Sequence, residues 1–299
     1  MSQLLNTREI ADYLRLKQRK VYDLVQRGDI PRTRVGGKWL FPKDQIDRWL
    51  LMRQGTEPID PLITCSAAAA PPVIAGSHDT LLEWCVMESG CRLALMGGGS
   101  LNGLDRFAEG GAIACGLHAL DAASGEHNVP FIKRRLGDRD VVAIEWARRE
   151  QGLVMAAGNP LGIHSISDLA TVRAQIVRRR PEAGAQVLFD HLVAQAGLRW
   201  EELATLDHPV QAEMDVGLTV LSGKADAGLA IRAVAHQLRL EFVPLLWERY
   251  DLVMHRRDFF EPPLQKLFTF ARSPATAVKA AELQGYDLFG SGTVHFNGP

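Results

Sequence analysis

Between Arg53 and Pro72 the chain reads RQGTEPIDPLITCSAAAAPP. Four prolines and a run of four alanines interrupt every apolar period, so the stretch reads as a linker rather than a piece of a core. This break constrains the fold more than any other feature: residues 1–52 must close one core and residues 73–299 another. A chain of 299 residues, 46% hydrophobic and 23% charged, can do both. Charge divides at the same place. Of 34 Lys and Arg and 35 Asp and Glu, residues 1–55 hold 12 and 6, a net of +6 in a chain whose total is −1. Such asymmetry points the basic segment toward nucleic acid or an acidic surface, the alternative being a well-solvated small domain.

The order of elements in the basic segment favours nucleic acid. Thr7 stands before REIADYL as a helix N-cap, with Ile10, Ala11 and Leu14 on the apolar stripe. A second helix is predicted from about Lys17 to Gly28, with Val21, Leu24 and Val25 inward. Two short helices joined by a tight turn are the helix-turn-helix plan, and the tip of the second enters the major groove. That tip is Lys17, Gln18, Arg19 and Lys20, cations for phosphates beside an amide able to read a base edge. IPRTRVGGKWLF then predicts a hairpin turning at Gly36-Gly37 and carrying Arg32, Arg34 and Lys38. A last helix is predicted in PKDQIDRWLLM, with Pro42 near its first turn and Ile46, Trp49 and Leu50 inward; Tyr22, Trp39 and Trp49 read as core.

Residues 3–51 resemble the excisionase-type DNA-binding domain, a relative of the mercury-resistance-regulator winged helix, through T-x-E-x-A-x-Y-L and the R-V-G-x-x-W-x-F of the wing. The resemblance implies duplex DNA as partner, contacted through Thr7, Lys17, Gln18, Arg19, Lys20, Arg34 and Lys38.

From Val73 the pattern alternates. VIAG, a Gly-Ser turn and a helix are followed by LALMG, a Gly-rich turn and a helix, then by the buried strand AIACGL. This predicts an α/β fold with a parallel sheet, whose ligands bind at the carboxyl ends of the strands beside helix N-termini. GSHD (76–79) and GGGS (97–100) are therefore candidate pocket loops, although neither has phosphate-loop spacing. Ser77, His78 and Asp79 are adjacent in sequence and cannot converge as a triad, and no GxSxG, HExxH or CxxC motif is present. His118 in CGLHAL reads as a buried or cleft residue, not a metal ligand. No enzyme, cofactor or metal is expected. Cys65, Cys85, Cys91 and Cys115 form no motif, no run of eighteen apolar residues occurs, and the polar start MSQLLNTREIADYL lacks a signal-peptide core. A cytoplasmic protein with no membrane partner is the expectation.

Residues 73–298 resemble the type 2 periplasmic-binding-protein domain, and more closely the molybdate-binding-like domain fused to helix-turn-helix regulators. The motifs are AGSHD, GGGSLNGL, CGLHAL, RREQGLVMAAGNPLGI, GKADAGLAI, EFVPLLWERYDLVM and GYDLFGSGTVHFN. The resemblance implies two lobes, 73–154 with 250–299 and 155–249, crossed near Met155 and Tyr250. It implies a ligand site drawn from Ser77, His78, Gly99, Ser100, Asn159, Arg178, Glu182, Asp215 and Tyr250. It also exposes a departure. Where oxyanion-sensing relatives carry a Gly-Ser-Gly-Thr-Arg loop, this chain has RRRPEAGAQ (178–186), and Asp215 stands where they carry His. Pro181 has no amide to donate and Glu182 would repel an anion. The expectation is a one-component transcription regulator, at least a homodimer, sensing a small organic effector rather than molybdate. The alternatives are an oxyanion-responsive regulator and a DNA-binding protein whose large domain is an interaction platform.

Overall fold

The computed structural model describes residues 4–14, 16–27, 30–35, 37–43, 45–46 and 70–299. The chain forms two compact units, divided between Ala68 and Ala69. Gly28, Gly36, Trp49, Leu50 and residues 53–69 of the linker lie outside the described residues.

The small unit runs β1 (Leu4–Leu5), α1 (Thr7–Tyr13), α2 (Gln18–Arg27), β2 (Thr33–Val35) and β3 (Lys38–Pro42). Its sheet has the order β1-β3-β2, all antiparallel. Asn6, not Thr7, caps α1: its side chain accepts from the amides of Arg8 and Glu9, and Glu9 returns a bond to the Asn6 amide at 2.8 Å. Asn is as good an N-cap as Thr, and Glu9 completes a capping box only with residue 6. Thr7 is thereby the first residue of the helix. Val35 pairs with Lys38 across the turn, and Gly37 takes a φ of +82°, open to glycine without strain. Pro42 ends β3 opposite Leu4, and the chain turns helical directly after it, at Lys43, Gln45 and Ile46, so Pro42 stands just before the first turn of the predicted last helix. Leu5, Ile10, Ala11, Val21, Val25, Ile30, Phe41 and Ile46 make the core. Tyr22 is 48% exposed, since Val21 and Val25 take the inward face of α2. Trp39 is half-buried on the wing, with the Arg32 and Arg34 guanidinium groups 5.4 and 5.3 Å from its ring centre.

The large unit opens with three strand–helix repeats: β4 (Val73–Gly76), α3 (Thr80–Glu88), β5 (Ala94–Gly97), α4 (Ser100–Ala108), β6 (Ala114–Leu117) and α5 (Val129–Leu136). These three strands are parallel, in the order β5-β4-β6. The fifteen-residue β7 (Val141–Met155) then leaves for a second lobe of α6 (Ile166–Thr171), β8 (Ile176–Val177), α7 (Gly184–Gln195), α8 (Glu213–Leu221), β9 (Ala227–Ile231) and α9 (Arg232–Leu238). β10 (Glu241–His255) returns. The chain ends with α10 (Arg256–Phe259), α11 (Pro262–Ala271), α12 (Pro274–Leu283), β11 (Tyr286–Asp287) and β12 (Val294–Asn297) on the first lobe.

The sheet is therefore not purely parallel. One strand leaves the first lobe and one comes back, so β7 and β10 pair antiparallel from Glu241↔Met155 to His255↔Val141, with irregularities at Leu245 and between Tyr250 and Asp251. On its other edge β7 pairs β12 over residues 142–144, β11 at 148–149 and β9 over 151–155. The change of lobe thus falls at about residues 147–151, earlier on the strand than Met155. Leu104, Phe107, Leu117, Ile132 and Val253 pack in the first lobe, and Leu153, Ile163, Leu169, Ile176, Phe189 and Leu229 in the second.

Each unit has a core built from its own residues. A fragment beginning at Pro71 is expected to unfold cooperatively in urea with a folded circular dichroism spectrum. A non-cooperative, largely unfolded fragment would mean that the large unit borrows its core from residues 1–52.

Candidate functional site

The carboxyl ends of β4, β5 and β6 place Ser77, Gly99-Ser100 and His118 together. The Ser77 and Ser100 hydroxyls lie 2.8 Å apart, and Ser100 Oγ also accepts from the His118 amide at 3.1 Å. Ser100 begins α4 and is fully buried. Tyr250 from β10 donates its hydroxyl to the Ser77 carbonyl at 2.5 Å, stacks on the His118 ring and lies under the Arg149 guanidinium, 4.7 Å from the ring centre. Burial raises the Tyr250 phenol well above its usual range and Asp79 adds to this, so it stays protonated and donates.

The second lobe closes directly onto these loops. At the start of α7, a Cβ on Gly184 would fall inside the His118 carbonyl oxygen and 2.8 Å from Ser100 Oγ. Across from it, a Cβ on Gly99 would lie 3.1 Å from the Glu182 carbonyl oxygen. Backbone meets backbone here, which only glycine permits.

Beneath this contact lies a buried set of charges. Arg149 donates Nε to Glu248 at 2.9 Å, its Nη2 also reaches Glu248, and its Nη1 reaches Asp79 at 3.2 Å. Glu248 gives its other oxygen to His118 Nδ1 at 2.9 Å and accepts from Gln151 Nε2 at 3.0 Å. Glu213, the first residue of α8, accepts from Gln151 Nε2 at 3.2 Å, with His118 Nε2 at 3.9 Å, Arg149 Nη2 at 3.8 Å and Arg179 Nη1 at 4.0 Å. Burial alone would raise Glu248, but Arg149 and His118 outweigh it and hold the carboxyl at about 2 against an ordinary 4.5. Burial lowers Arg179, while Arg149 is raised because Glu248, Glu213 and Asp79 overcome its desolvation.

Among the described residues, His118, Glu213 and Glu248 form the trio whose ligand-type atoms lie within 4.8 Å of one another. Glu248 is already taken by Arg149 on one oxygen and by His118 Nδ1 on the other, so two of the three candidate ligands are spent on each other and the trio fits a metal poorly.

The site brings Ser77, Gly99, Ser100 and Tyr250 together and leaves out other sequence candidates. His78 bonds Glu83 at 2.9 Å on the exposed side of α3. Asn159 spends its amide on Ile163 within a turn, at 2.7 and 2.9 Å. Arg178 stacks over Trp200 at 4.4 Å; in an extended segment neighbours face opposite ways, so Arg179 turns inward. Glu182 offers the contact its backbone, with an exposed side chain. Asp215 accepts from the Ala212 amide at 2.8 Å and finishes the start of α8, leaving Glu213 as the acid of the site. Arg149, Gln151, Arg179, Glu213 and Glu248 were not singled out from sequence. The available signal was charge inside otherwise apolar strands, IEWARREQGLVM and LLWERYDLVM.

In the small unit, Gln18, Arg19 and Lys20 are exposed on the first turn of α2, with Lys17 just before it. Arg34 and Lys38 are exposed on the wing.

Comparison with known proteins agrees with this architecture. The family profile described as the PBP superfamily domain matches residues 86–272, and one described as a helix-turn-helix domain matches residues 4–54. YvgK of Bacillus subtilis (strain 168), itself described as uncharacterized, is 28% identical over 96% of both chains. A putative phosphate transporter substrate-binding protein from Clostridium perfringens, solved with phosphate bound, superposes with a TM-score of 0.54 at 13% identity, covering 71% of this chain and 96% of that one. The regulatory domain of MetR, a LysR-family regulator from N. meningitidis, gives 0.50 at 11% identity, covering 72% and 96%. At these identities the likeness is one of fold.

Glu248→Ala is expected to destabilise the chain by up to about 3–5 kcal/mol, because it removes one of the two carboxylates that pair the buried Arg149 and leaves Asp79 to hold it alone. Glu248 is more acidic folded than unfolded. Its stabilising contribution is therefore complete above about pH 4.5 and drains away as the pH falls toward 2. Urea titrations at several pH values should show that acid-side slope flattened in Glu248→Gln. An unchanged slope would place the titration elsewhere.

Proposed function

Because this chain belongs to the PBP superfamily domain family and carries a helix-turn-helix domain, we propose that it is a one-component transcription regulator acting in the cytoplasm, at least as a homodimer. The small unit binds duplex DNA. Gln18, Arg19 and Lys20 extend from the exposed tip of α2, and Arg34 and Lys38 from the wing, an arrangement suited to one major groove and its flanking phosphates. Two such units suit a two-fold operator. The large unit senses a small molecule where its lobes meet. An effector shifts the equilibrium of the lobes only through unequal affinity for their arrangements, and DNA binding follows that shift.

The observation that carries the ligand class is the carboxylate of Glu213, buried in the centre of the contact between the lobes. An inorganic oxyanion there meets like charge and no hydroxyl from the 181–186 segment. The negative charge that disfavours it comes from Glu213 rather than from the exposed Glu182. A small organic effector, able to use acceptors as well as donors, fits better than molybdate. The second reading, an oxyanion effector, has the phosphate-bound Clostridium perfringens neighbour in its favour.

Two measurements test the proposal. In electrophoretic shifts against operator DNA, Arg19→Ala and Lys38→Ala should each weaken binding and flatten the slope of log affinity against log salt by about 0.9 per lost phosphate contact. Binding indifferent to both substitutions and to salt would remove the DNA assignment. Calorimetry with molybdate, tungstate and sulfate should give weak or no binding, and a sub-micromolar constant for any of them would establish the second reading.

A further inference from the structure

Three polar atoms buried in this site have no partner: Gln151 Oε1, Glu213 Oε2 and Arg179 Nε. The three residues are, respectively, fully buried, 4% and 8% exposed. Unpaired buried polar atoms are costly, and those in a native protein call for an explanation. Two of the three are acceptors and one is a donor.

The charges around them are unevenly used. Arg149 is committed to Asp79 and Glu248. Arg179 spends Nη2 on the Gln211 carbonyl at 2.5 Å and stands 4.0 Å from Glu213, beyond hydrogen-bond reach. Glu213 holds only the Gln151 amide closely. All three residues lie on the second lobe's side: Gln151 pairs with Ile231 of β9, Arg179 follows β8, and Glu213 starts α8. His118 of the first lobe faces them. In the tautomer whose Nδ1–H donates to Glu248, its Nε2 is one more acceptor.

We propose that this face takes an L-α-amino acid, its ammonium on Glu213 Oε2 and Gln151 Oε1 and its carboxylate on Arg179. The proposal rests on the sensor reading above. A zwitterion supplies donors to the two free acceptors and acceptors to the free guanidinium nitrogen. An oxyanion offers acceptors only and leaves both oxygens unsatisfied, while a metal ion can be held by the oxygens but leaves the guanidinium nitrogen without an acceptor. The spacing agrees: an α-amino acid carries its two charges on neighbouring carbons, and Glu213 and Arg179 stand side by side.

The test is calorimetry and thermal shift on the full chain with the standard L-α-amino acids, using n-butylamine and butyrate as single-charge controls. At least one amino acid should bind, and its decarboxylated and deaminated analogues should bind at least about tenfold more weakly. Glu213→Gln and Arg179→Gln should each lower its affinity by about ten- to a hundredfold, the range of one hydrogen bond to a charged group. The comparison with analogues uses the unaltered chain and holds even where a variant folds poorly. Binding equal to that of a single-charge analogue, or undiminished in two folded variants, overturns the proposal. If all amino acids fail while another compound shifts the melting temperature and changes DNA binding, the zwitterion falls and the sensor stands. If oxyanions and a metabolite library fail as well, with DNA binding intact, both fall.

Discussion

The large unit is organised around one fully buried guanidinium. Arg149 sits in the middle of β7, the strand that both lobes share, and a charge there is tolerable only when paired and hydrogen-bonded. Asp79 and Glu248 meet that requirement, and each is bound further. Asp79 also accepts from the Leu82 amide at 2.7 Å, from Trp146 Nε1 at 3.2 Å and from the Tyr286 hydroxyl at 2.8 Å. One carboxylate thus caps α3, fixes a core tryptophan and ties the C-terminal β11 to the first lobe. Glu248 holds β10 in register with β7 and orients His118. The start of a helix, the returning strand and the end of the chain all converge on a single side chain.

This arrangement also decides what kind of contact the lobes can make. Each lobe has an apolar core, but the surfaces that meet between them are glycine backbone, serine hydroxyls, carboxylates and guanidinium groups. An apolar contact of the same size would cost about 25 cal/mol for each Å² exposed on opening. Polar groups exchange protein partners for water with a small net change, and a buried ion pair is often no more stabilising than an apolar replacement. The same chemistry that makes the centre a poor source of stability makes it separable. Arg149, with Asp79 and Glu248, is the part that stays assembled; Arg179 and Glu213, loosely matched at 4.0 Å, are the part free to change partners.

The sequence was most informative where one period or one turn residue decides the structure. The strand–turn–helix repeats after Val73, the basic helix tip and the Gly-Gly wing turn were legible because neighbouring residues determine them. The centre of the site was not. Charges at Arg148, Arg149 and Glu150 interrupt the apolar pattern of β7, so its first half did not read as one strand with GLVM. Those charges are tolerated because the partners come from far along the chain: Asp79 and Glu248 for Arg149, Arg232 for Glu150. The misplacements were otherwise short. Asn6 rather than Thr7 caps α1, Arg179 rather than Arg178 is buried, and Glu213 rather than Asp215 is buried, because composition locates a loop while only backbone geometry tells which of its neighbours turns inward.

The division of charge completes the argument. A chain with a net of −1 binds a polyanion only if its positive charge is gathered in one place, and residues 1–55 gather +6 of it, leaving the large unit acidic. That acidity repels a duplex, but salt screens the repulsion beyond about 8 Å at physiological ionic strength. It therefore matters close to the DNA and hardly at all at a distance.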